Sequence, residues 1–197
     1  RTDSGVRANM YCISLKTSHP IADVRLKAAL NRWLPLSIAV LDCEEADIDF
    51  HARYSCTSKE YIYKIWNTEV RNPFLDGYAL HYRYKLDEDM LNSAAQAYVG
   101  THDFTSFCTL DSREKGDMTR TVKAFSVTRE GNLVTMKVEA DGFLYNMVRI
   151  MVGTLLRIQQ GKIPVDGIAG IIEKKDRKFA GPTAQPCGLY LNRVNYD

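Results

Sequence analysis

This sequence of 197 residues has little net charge, no cysteine pairing pattern and no long uninterrupted apolar run. Its five cysteines are odd in number and scattered, without a Cys-x-x-Cys pair. That usage argues against a disulfide framework or a zinc site and favours a reducing, cytoplasmic setting. The longest apolar run, residues 143–158, is interrupted by Asn146 and Arg149 and falls short of the roughly 20 residues that a membrane span needs. We therefore predict a soluble protein without a membrane partner.

Two further absences concern cofactors. The four histidines show no metal-ligand spacing such as His-x-x-x-His. The sequence also contains no glycine-rich loop of the kind that cradles the phosphates of a nucleotide. We therefore predict that the protein uses neither a metal ion nor a nucleotide cofactor.

The net charge of +2 conceals an uneven distribution of charge. Residues 41–50 contain five acids and no base, and leaving out these five negative charges puts the rest of the chain at +7. Basic residues gather in two clusters, which are Arg113, Lys115, Arg120 and Lys123, and Lys174, Lys175, Arg177 and Lys178. Such clusters can follow a phosphate backbone, but lysine and arginine also commonly solvate loops and helix ends.

Helical and strand patterns alternate along the chain, whose 45% hydrophobic and 25% charged residues are typical of one or two small globular domains. The patterns predict strands at residues 9–15, 38–43, 59–66, 78–84, 121–129, 133–140 and 188–195, and helices at 21–33, 87–99, 146–159 and 164–173. Asp87 is a candidate N-cap, and Gly100 a candidate for the residue that follows the same helix. The hairpin around residues 130–132 favours an antiparallel sheet with helices packed on one side, an α+β fold.

The first six residues, Arg1-Thr2-Asp3-Ser4-Gly5-Val6, place a carboxylate on a tight turn. Ser-Gly gives that turn a small and permissive backbone, so Asp3 could act as a nucleophile or stabilise positive charge at a cleft. The same residues also suit an ordinary turn or helix start. Asp-Ser-Gly is in addition an aspartic peptidase signature, but that chemistry needs two such aspartates, and Asp111-Ser112-Arg113 lacks the glycine.

Arg149 is the only charged residue between Phe143 and Leu156, in a helix that is apolar on nearly every face. A buried guanidinium without a partner costs several kcal/mol, so we expect the fold to supply an anion for it. The alternative is that Arg149 extends to solvent or pairs with a structural carbonyl or carboxylate. Tyr61 and Tyr63 share one face of the strand predicted at 59–66, where tyrosines are usually core or rim residues.

Residues 1–8, which continue through Arg7-Ala8, resemble the Gly-Arg-Thr-Asp-(Ala/Ser)-Gly-Val-His-Ala signature of the tRNA pseudouridine synthase A family. Arg7 stands where that family usually has histidine, and the leading glycine is not in the sequence. Further matching motifs are Phe50-His51-Ala52-Arg53, Tyr61-Ile62-Tyr63, His102-Asp103-Phe104-Thr105-Ser106-Phe107, Asn146-Met147-Val148-Arg149 and Gly188-Leu189-Tyr190-Leu191. These five motifs occur in the order that the family has.

The resemblance implies the pseudouridine synthase fold, a mixed and mostly antiparallel sheet with helices packed on it. The family builds this fold from two ferredoxin-like halves. We expect residues 1–56 to be the remainder of the first half and residues 57–197 to be the second. The resemblance also implies that about a quarter of the family protein, including a first strand, precedes the motif, so we expect an N-terminally truncated chain.

The resemblance further assigns functional residues. Asp3 would be the catalytic aspartate and Arg149 its ion-pair partner, which would keep the carboxylate ionised and fix its rotamer. Tyr61 would stack on the target base and is a candidate for assisting proton removal. Predicted contacts to the substrate RNA come from Arg1, Arg53, Lys59 and Tyr63.

The resemblance also implies a substrate and an assembly. The family isomerises uridines in the anticodon stem-loop of tRNA, at tRNA positions 38 to 40, without a cofactor. It works as a cytoplasmic homodimer that reads tRNA by shape, which suits dispersed basic residues. The alternative function is that of a noncatalytic RNA-binding fragment or paralogue with the same fold.

Overall fold

A computed structural model describes residues 2–109 and 116–196. The chain divides into two compact units, one formed by Arg1–Tyr11 with Cys56–Asp197 and the other by Cys12–Ser55. The helix α1 (Asp23–Trp33) of the smaller unit confirms the helix predicted at 21–33 to within two residues and has no buried side chain. The division into halves at residues 56 and 57 stays a prediction.

The larger unit is built on one sheet of seven strands. They are β1 (Arg7–Ala8), β2 (Cys56–Trp66), β3 (Leu80–His81), β4 (Gly100–Asp103), β5 (Thr119–Glu130), β6 (Leu133–Ala140) and β7 (Leu189–Tyr196). Their order is β1-β7-β2-β6-β5-β4, with β3 beside β2. The β1–β7 and β2–β3 pairs are parallel and the other pairs are antiparallel, so the mixed, mostly antiparallel sheet is confirmed.

The β5–β6 hairpin forms as the apolar alternation predicted. Gly131 has a φ of +57°, in the left-handed region that a tight turn between the two strands uses and that glycine adopts without steric cost. The alternating residues Val134, Met136 and Val138 are buried along β6. The β5 pattern changes phase because the register shifts between Val122 and Ala124, which keeps Val122 and Phe125 both in the core.

Three helices complete the larger unit, namely α2 (Glu88–Ala95), α3 (Met147–Gln159) and α4 (Gly167–Lys174). The predicted N-cap is confirmed, because the Asp87 side chain accepts a hydrogen bond from Met90 N at 2.9 Å. The α-helix is shorter than predicted, since the chain tightens into a 3₁₀ turn at Gln96–Tyr98. Gly100 (φ +117°) is then the first residue of β4. One hydrophobic cluster joins the helices to the sheet, as the α+β prediction requires.

The strands predicted at 9–15, 38–43 and 78–84 are wrong or too long. No residue of 9–15 or 38–43 is in a strand, since β1 ends at Ala8, and within 78–84 only Leu80–His81 is a strand. Asparagine side chains replace a strand partner in two of these segments. The Asn31 amide bonds both the N–H and the carbonyl oxygen of Val40, and the Asn67 amide bonds the carbonyl oxygens of Tyr82 and Tyr84. Backbone groups satisfied in this way need no neighbouring strand.

The helix α3 approaches the segment 181–184 more closely than a side chain would allow. A Cβ on Gly153 would collide with the carbonyl oxygen of Pro182. The Thr154 hydroxyl donates to Ile150 O and accepts from Gly181 N at 2.8 and 2.9 Å. This contact holds residues 181–184 along α3. Among the helices of the described residues, none is long and apolar enough to cross a bilayer.

Candidate active site

Asp3 lies at the start of a tight turn that residues 3–6 form. Val6 N donates to the Asp3 carbonyl oxygen at 3.1 Å, and Gly5 has a φ of +80°, the value that the third residue of a type II turn requires. A Cβ on Gly5 would lie 3.0 Å from Pro186 Cγ, so the turn packs directly against Pro186. The local sequence therefore sets the shape of the turn, and the absence of a side chain at Gly5 allows its contact with Pro186.

Arg149 of α3 reaches this turn. Its Nη1 lies 3.6 Å from Asp3 Oδ2, with 16% of the Arg149 side chain and 28% of the Asp3 side chain exposed. The structure thus brings together the two charges that the sequence predicted would pair. Their roles in catalysis stay predictions.

The guanidinium of Arg149 is held by two more acceptors. Its Nε donates to Ala184 O at 2.7 Å and its Nη1 donates to Asn146 Oδ1 at 2.8 Å. Ala184 N in turn donates to Arg149 O at 3.1 Å, so residues 149 and 184 are bonded in both directions. Because two neutral acceptors orient the guanidinium, Arg149 points at Asp3 as part of a fixed arrangement.

Asn146 precedes α3 in a left-handed conformation, with a φ of +62°. This conformation is uncommon for residues other than glycine, although asparagine adopts it more readily than most. The Asn146 side chain accepts from Arg149 and donates to Thr109 Oγ1 at 3.1 Å. The sequence motif contains Asn146 but does not predict that this residue positions Arg149. Its place three residues before Arg149, at the start of the helix predicted at 146–159, is the signal that could have found it.

Tyr61 lies on β2, half-buried, with its ring edge-on to Phe143 at 5.1 Å between ring centres. Burial raises the pKa of Tyr61 to about 12, and the negative charge of Asp3 contributes to the rise. The hydroxyl is therefore a proton donor at neutral pH and not a ready base.

Tyr63 is a core residue, and its predicted contact with RNA is wrong. Its side chain is fully buried, and its hydroxyl donates to Gln185 O at 2.8 Å. Burial also raises the pKa of the Tyr63 phenol. A Cβ on Gly188 would lie 2.8 Å from the Tyr63 ring, so residues 185–188 cover it. Strand periodicity could not separate Tyr61 from Tyr63, because both occupy the same face of β2.

The remaining predicted RNA contacts differ in position. Lys59 is half-buried two residues before Tyr61, which places it on the same face of β2 and about 7 Å along the strand. Arg53 is exposed in the smaller unit, where its guanidinium carbon lies 5.5 Å from the centre of the Tyr54 ring. Arg1 lies outside the described residues. The RNA-binding roles of all three stay predictions.

Several residues of the two basic clusters have local partners. Arg120 donates to the carbonyl oxygens of Asp117 and Thr119, and Lys175 Nζ lies 2.9 Å from Asp103 Oδ2. Lys174 Nζ lies 3.9 Å from the centre of the Phe179 ring. Arg113 and Lys115 lie outside the described residues. In the described part of the chain, no group of three or more His, Cys, Asp or Glu side chains could hold a metal ion.

The sequence that forms this site is similar to the sequences of known proteins. A family model described as tRNA pseudouridine synthase matches residues 94–197. The tRNA pseudouridine synthase A of Geobacillus sp. (strain WCH70) is 44% identical over 197 residues, which are 100% of this chain and 79% of the relative. The proteins of the same name from Geobacillus kaustophilus (strain HTA426) and Bacillus pumilus (strain SAFR-032) are 43% and 44% identical over 100% of this chain and 76% and 79% of their own lengths.

Proposed function

This chain belongs to the tRNA pseudouridine synthase A family, and we propose that it isomerises uridine to pseudouridine in tRNA. The observation that carries the proposal is the approach of Arg149 to Asp3, with Nη1 and Oδ2 3.6 Å apart. The family signature contains the same aspartate in the same turn sequence.

The reaction rearranges bonds within one nucleotide. The N1–C1′ bond of uridine breaks, the uracil turns, and a C5–C1′ bond forms. The C5 proton leaves and N1 gains a proton, so atoms and electrons balance without an external group. The reacting atoms are hidden in a stacked RNA loop, and the uridine must therefore be flipped out of the stack to reach a carboxylate.

Each residue of the site has a proposed task in that sequence. Asp3 would attack the sugar carbon or the uracil ring, or would stabilise the cationic sugar that forms when the N1–C1′ bond breaks. Arg149 would fix the Asp3 rotamer. Tyr61 would offer an aromatic face to the flipped base, a contact worth roughly 1–3 kcal/mol. Because Tyr61 has a pKa of about 12, a water that its hydroxyl orients is a better acceptor for the C5 proton than the phenol itself.

We also propose the finer properties that the family resemblance implies. The target uridines lie in the anticodon stem-loop, at tRNA positions 38 to 40, and Arg1, Arg53 and Lys59 contact the RNA backbone. The protein works in the cytoplasm, in keeping with five cysteines that are odd in number and scattered along the sequence. It works as a homodimer, which sedimentation analysis would contradict by showing a monomer at working concentrations.

The direct test uses unmodified tRNA labelled with tritium at C5 of uridine, because isomerisation releases that tritium to water. The 197-residue chain should release tritium and form pseudouridine, mapped by chemical adducts. Asp3→Asn should lose activity by at least about 1,000-fold, because it removes the charge but keeps the size of the side chain. Asp89→Asn, at an exposed position in the first turn of α2, is the matched control and should remain active.

The opposite result has a specific meaning. If the chain binds tRNA and releases no tritium, it is a noncatalytic RNA-binding protein and the proposed function is wrong. Equal activity of Asp3→Asn and the parent chain would contradict the role of Asp3. The position of the pseudouridines on the mapped tRNA tests the anticodon assignment separately.

A further inference from the structure

The strand β1, which follows the Asp3 turn, has little backbone pairing of its own. β1 contains only Arg7 and Ala8, paired with Tyr190 and Leu191 of β7. Asn9 N and Met10 N add bonds to Leu191 O at 2.8 and 3.5 Å. So short a parallel pairing frays easily, and a frayed β1 would release the turn that holds Asp3.

The Arg7 side chain supplies additional attachment. Its Nε and Nη2 both donate to the Gly77 carbonyl oxygen, at 3.1 and 3.0 Å. Its guanidinium carbon lies 3.9 Å from the centre of the Tyr78 ring, which is a cation–π contact. The side chain therefore fastens β1 to residues 77 and 78 with two hydrogen bonds and one stacking contact.

Residues 77 and 78 are in turn bonded to the strand that β1 pairs with. The Tyr190 hydroxyl donates to the Tyr78 carbonyl oxygen at 2.6 Å, and Tyr190 is the residue opposite Arg7 in the β1–β7 register. The contacts form a closed ring that runs from Arg7 to Gly77 and Tyr78, on to Tyr190, and back to Arg7. We call these four residues the Arg7 clamp.

We propose that Arg7 is a positioning residue for Asp3, a role that rests on the proposed function. Arg7 begins the strand that leaves the Asp3–Val6 turn, so the clamp fixes the end of the turn that Arg149 does not reach. The clamp limits how far the Asp3 carboxylate can drift from the Arg149 guanidinium. A misplacement of about 1 Å at a reacting group can cost about 100-fold in rate, so a small loosening of β1 would be visible in kcat.

The contacts of the clamp are specific to arginine. A lysine would keep the charge but could not direct two fixed N–H groups to one oxygen while lying flat on an aromatic ring. A histidine, the usual residue of the resembled family at this position, could donate only one such hydrogen bond. Alanine would remove every contact of the clamp. We therefore expect kcat to fall in the order arginine, histidine, lysine, alanine.

The test measures kcat and KM for tRNA with Arg7→Ala, Arg7→Lys and Arg7→His in the 197-residue chain. Arg7→Ala should lower kcat about tenfold or more and change KM less than about twofold. Amide hydrogen exchange of Val6, Asn9 and Met10, whose N–H groups bond within the turn and to β7, should become faster in the same variant. Arg193→Ala, which removes an exposed arginine of β7, is the control and should alter neither quantity.

The outcomes separate this proposal from its rivals. An unchanged kcat with a raised KM and a weaker salt dependence of binding would make Arg7 a phosphate contact and overturn the proposal. An unchanged kcat with unchanged exchange would overturn it as well. If the parent chain has no activity, the proposed function fails, whereas the exchange measurement still decides whether Arg7 holds the Asp3 turn.

Discussion

At the scale of single residues, Arg149 makes both kinds of contact that the sequence left as alternatives. It pairs with a carboxylate, Asp3, and it also donates to a structural carbonyl, Ala184 O. The first contact is the one that the family resemblance predicted, and the second could not be predicted because residue 184 lies in an irregular segment. Because Ala184 O and Asn146 Oδ1 orient the guanidinium, its contact with Asp3 is not needed to hold Arg149 in place. That contact is therefore available to position the carboxylate for the substrate.

The raised pKa of Tyr61 predicts how its contribution to stability depends on pH. Its pKa lies near 12 in the folded chain against 10.0 ordinarily, so the folded state holds the phenol proton more tightly than the unfolded state does. The resulting stabilisation is complete below about pH 10 and is lost as the pH rises from about 10 to about 12.

We expect the NMR signal of ¹³Cζ-labelled Tyr61 to show no ionisation up to about pH 10. In Asp3→Asn the pKa should move down towards its ordinary value, because one of the charges that raises it is removed. Tyr61→Phe assigns the signal and should keep the fold, since the ring against Phe143 is retained. Ionisation of Tyr61 below pH 9 would contradict the account and would make the phenol a direct base.

At the scale of elements, the site depends on the close packing of α3 against residues 181–184. That segment supplies the carbonyl oxygen of Ala184 and leads into Pro186, against which the Asp3 turn packs. The helix α3 could be predicted from the sequence, because its thirteen residues are mostly apolar and contain no proline. The position of residues 181–184 could not be predicted, because this segment has no repeating pattern and is held by contacts with residues distant in sequence.

Gly153→Ala tests this packing. The added Cβ would collide with Pro182 O, so the segment must shift, and we expect a loss of about 1–3 kcal/mol in the free energy of unfolding. Urea denaturation measures this loss, and tritium release should fall because Ala184 O moves away from Arg149. Gly170→Ala in α4 is the matched control, since a Cβ there meets nothing within 4 Å. The control should stabilise the chain by up to about 1 kcal/mol, and an equal effect of both variants would contradict the packing argument.

Two segments with strand-like sequences do not form the full strands that were predicted. Residues 38–43 and 78–84 have strand-like composition. In the first segment, however, Val40 bonds to the side-chain amide of Asn31. In the second, only Leu80–His81 pairs with β2, and the carbonyl oxygens of Tyr82 and Tyr84 accept from the Asn67 amide. Local patterns record which residues favour a strand, and they do not record whether a neighbouring strand is present. The β5–β6 hairpin was predictable because its partner lies next to it in the sequence.

At the scale of the whole molecule, charge is divided unevenly between the two units. The acidic residues 41–50 lie in the smaller unit, so the larger unit with the candidate site carries more of the positive charge. A proton, two bonds and a base rotation are all that the reaction needs, and the site offers a carboxylate, a guanidinium that holds it and an aromatic ring. The family and the α+β class followed from sequence motifs, whereas the separation of Tyr61 from Tyr63 needed the structure.

We propose that Arg149 acts in catalysis through Asp3. The measurement that tests it is a double-mutant cycle on the rate of tritium release, with Asp3→Asn, Arg149→Met and the double variant, and Arg149→Lys to retain a positive charge. We expect Arg149→Met to lower kcat by about 100-fold or more, and the double variant to be within about threefold of Asp3→Asn, because residues that act as a unit are not additive. Independent, multiplying losses, or full activity of Arg149→Met in a folded chain, would contradict the claim.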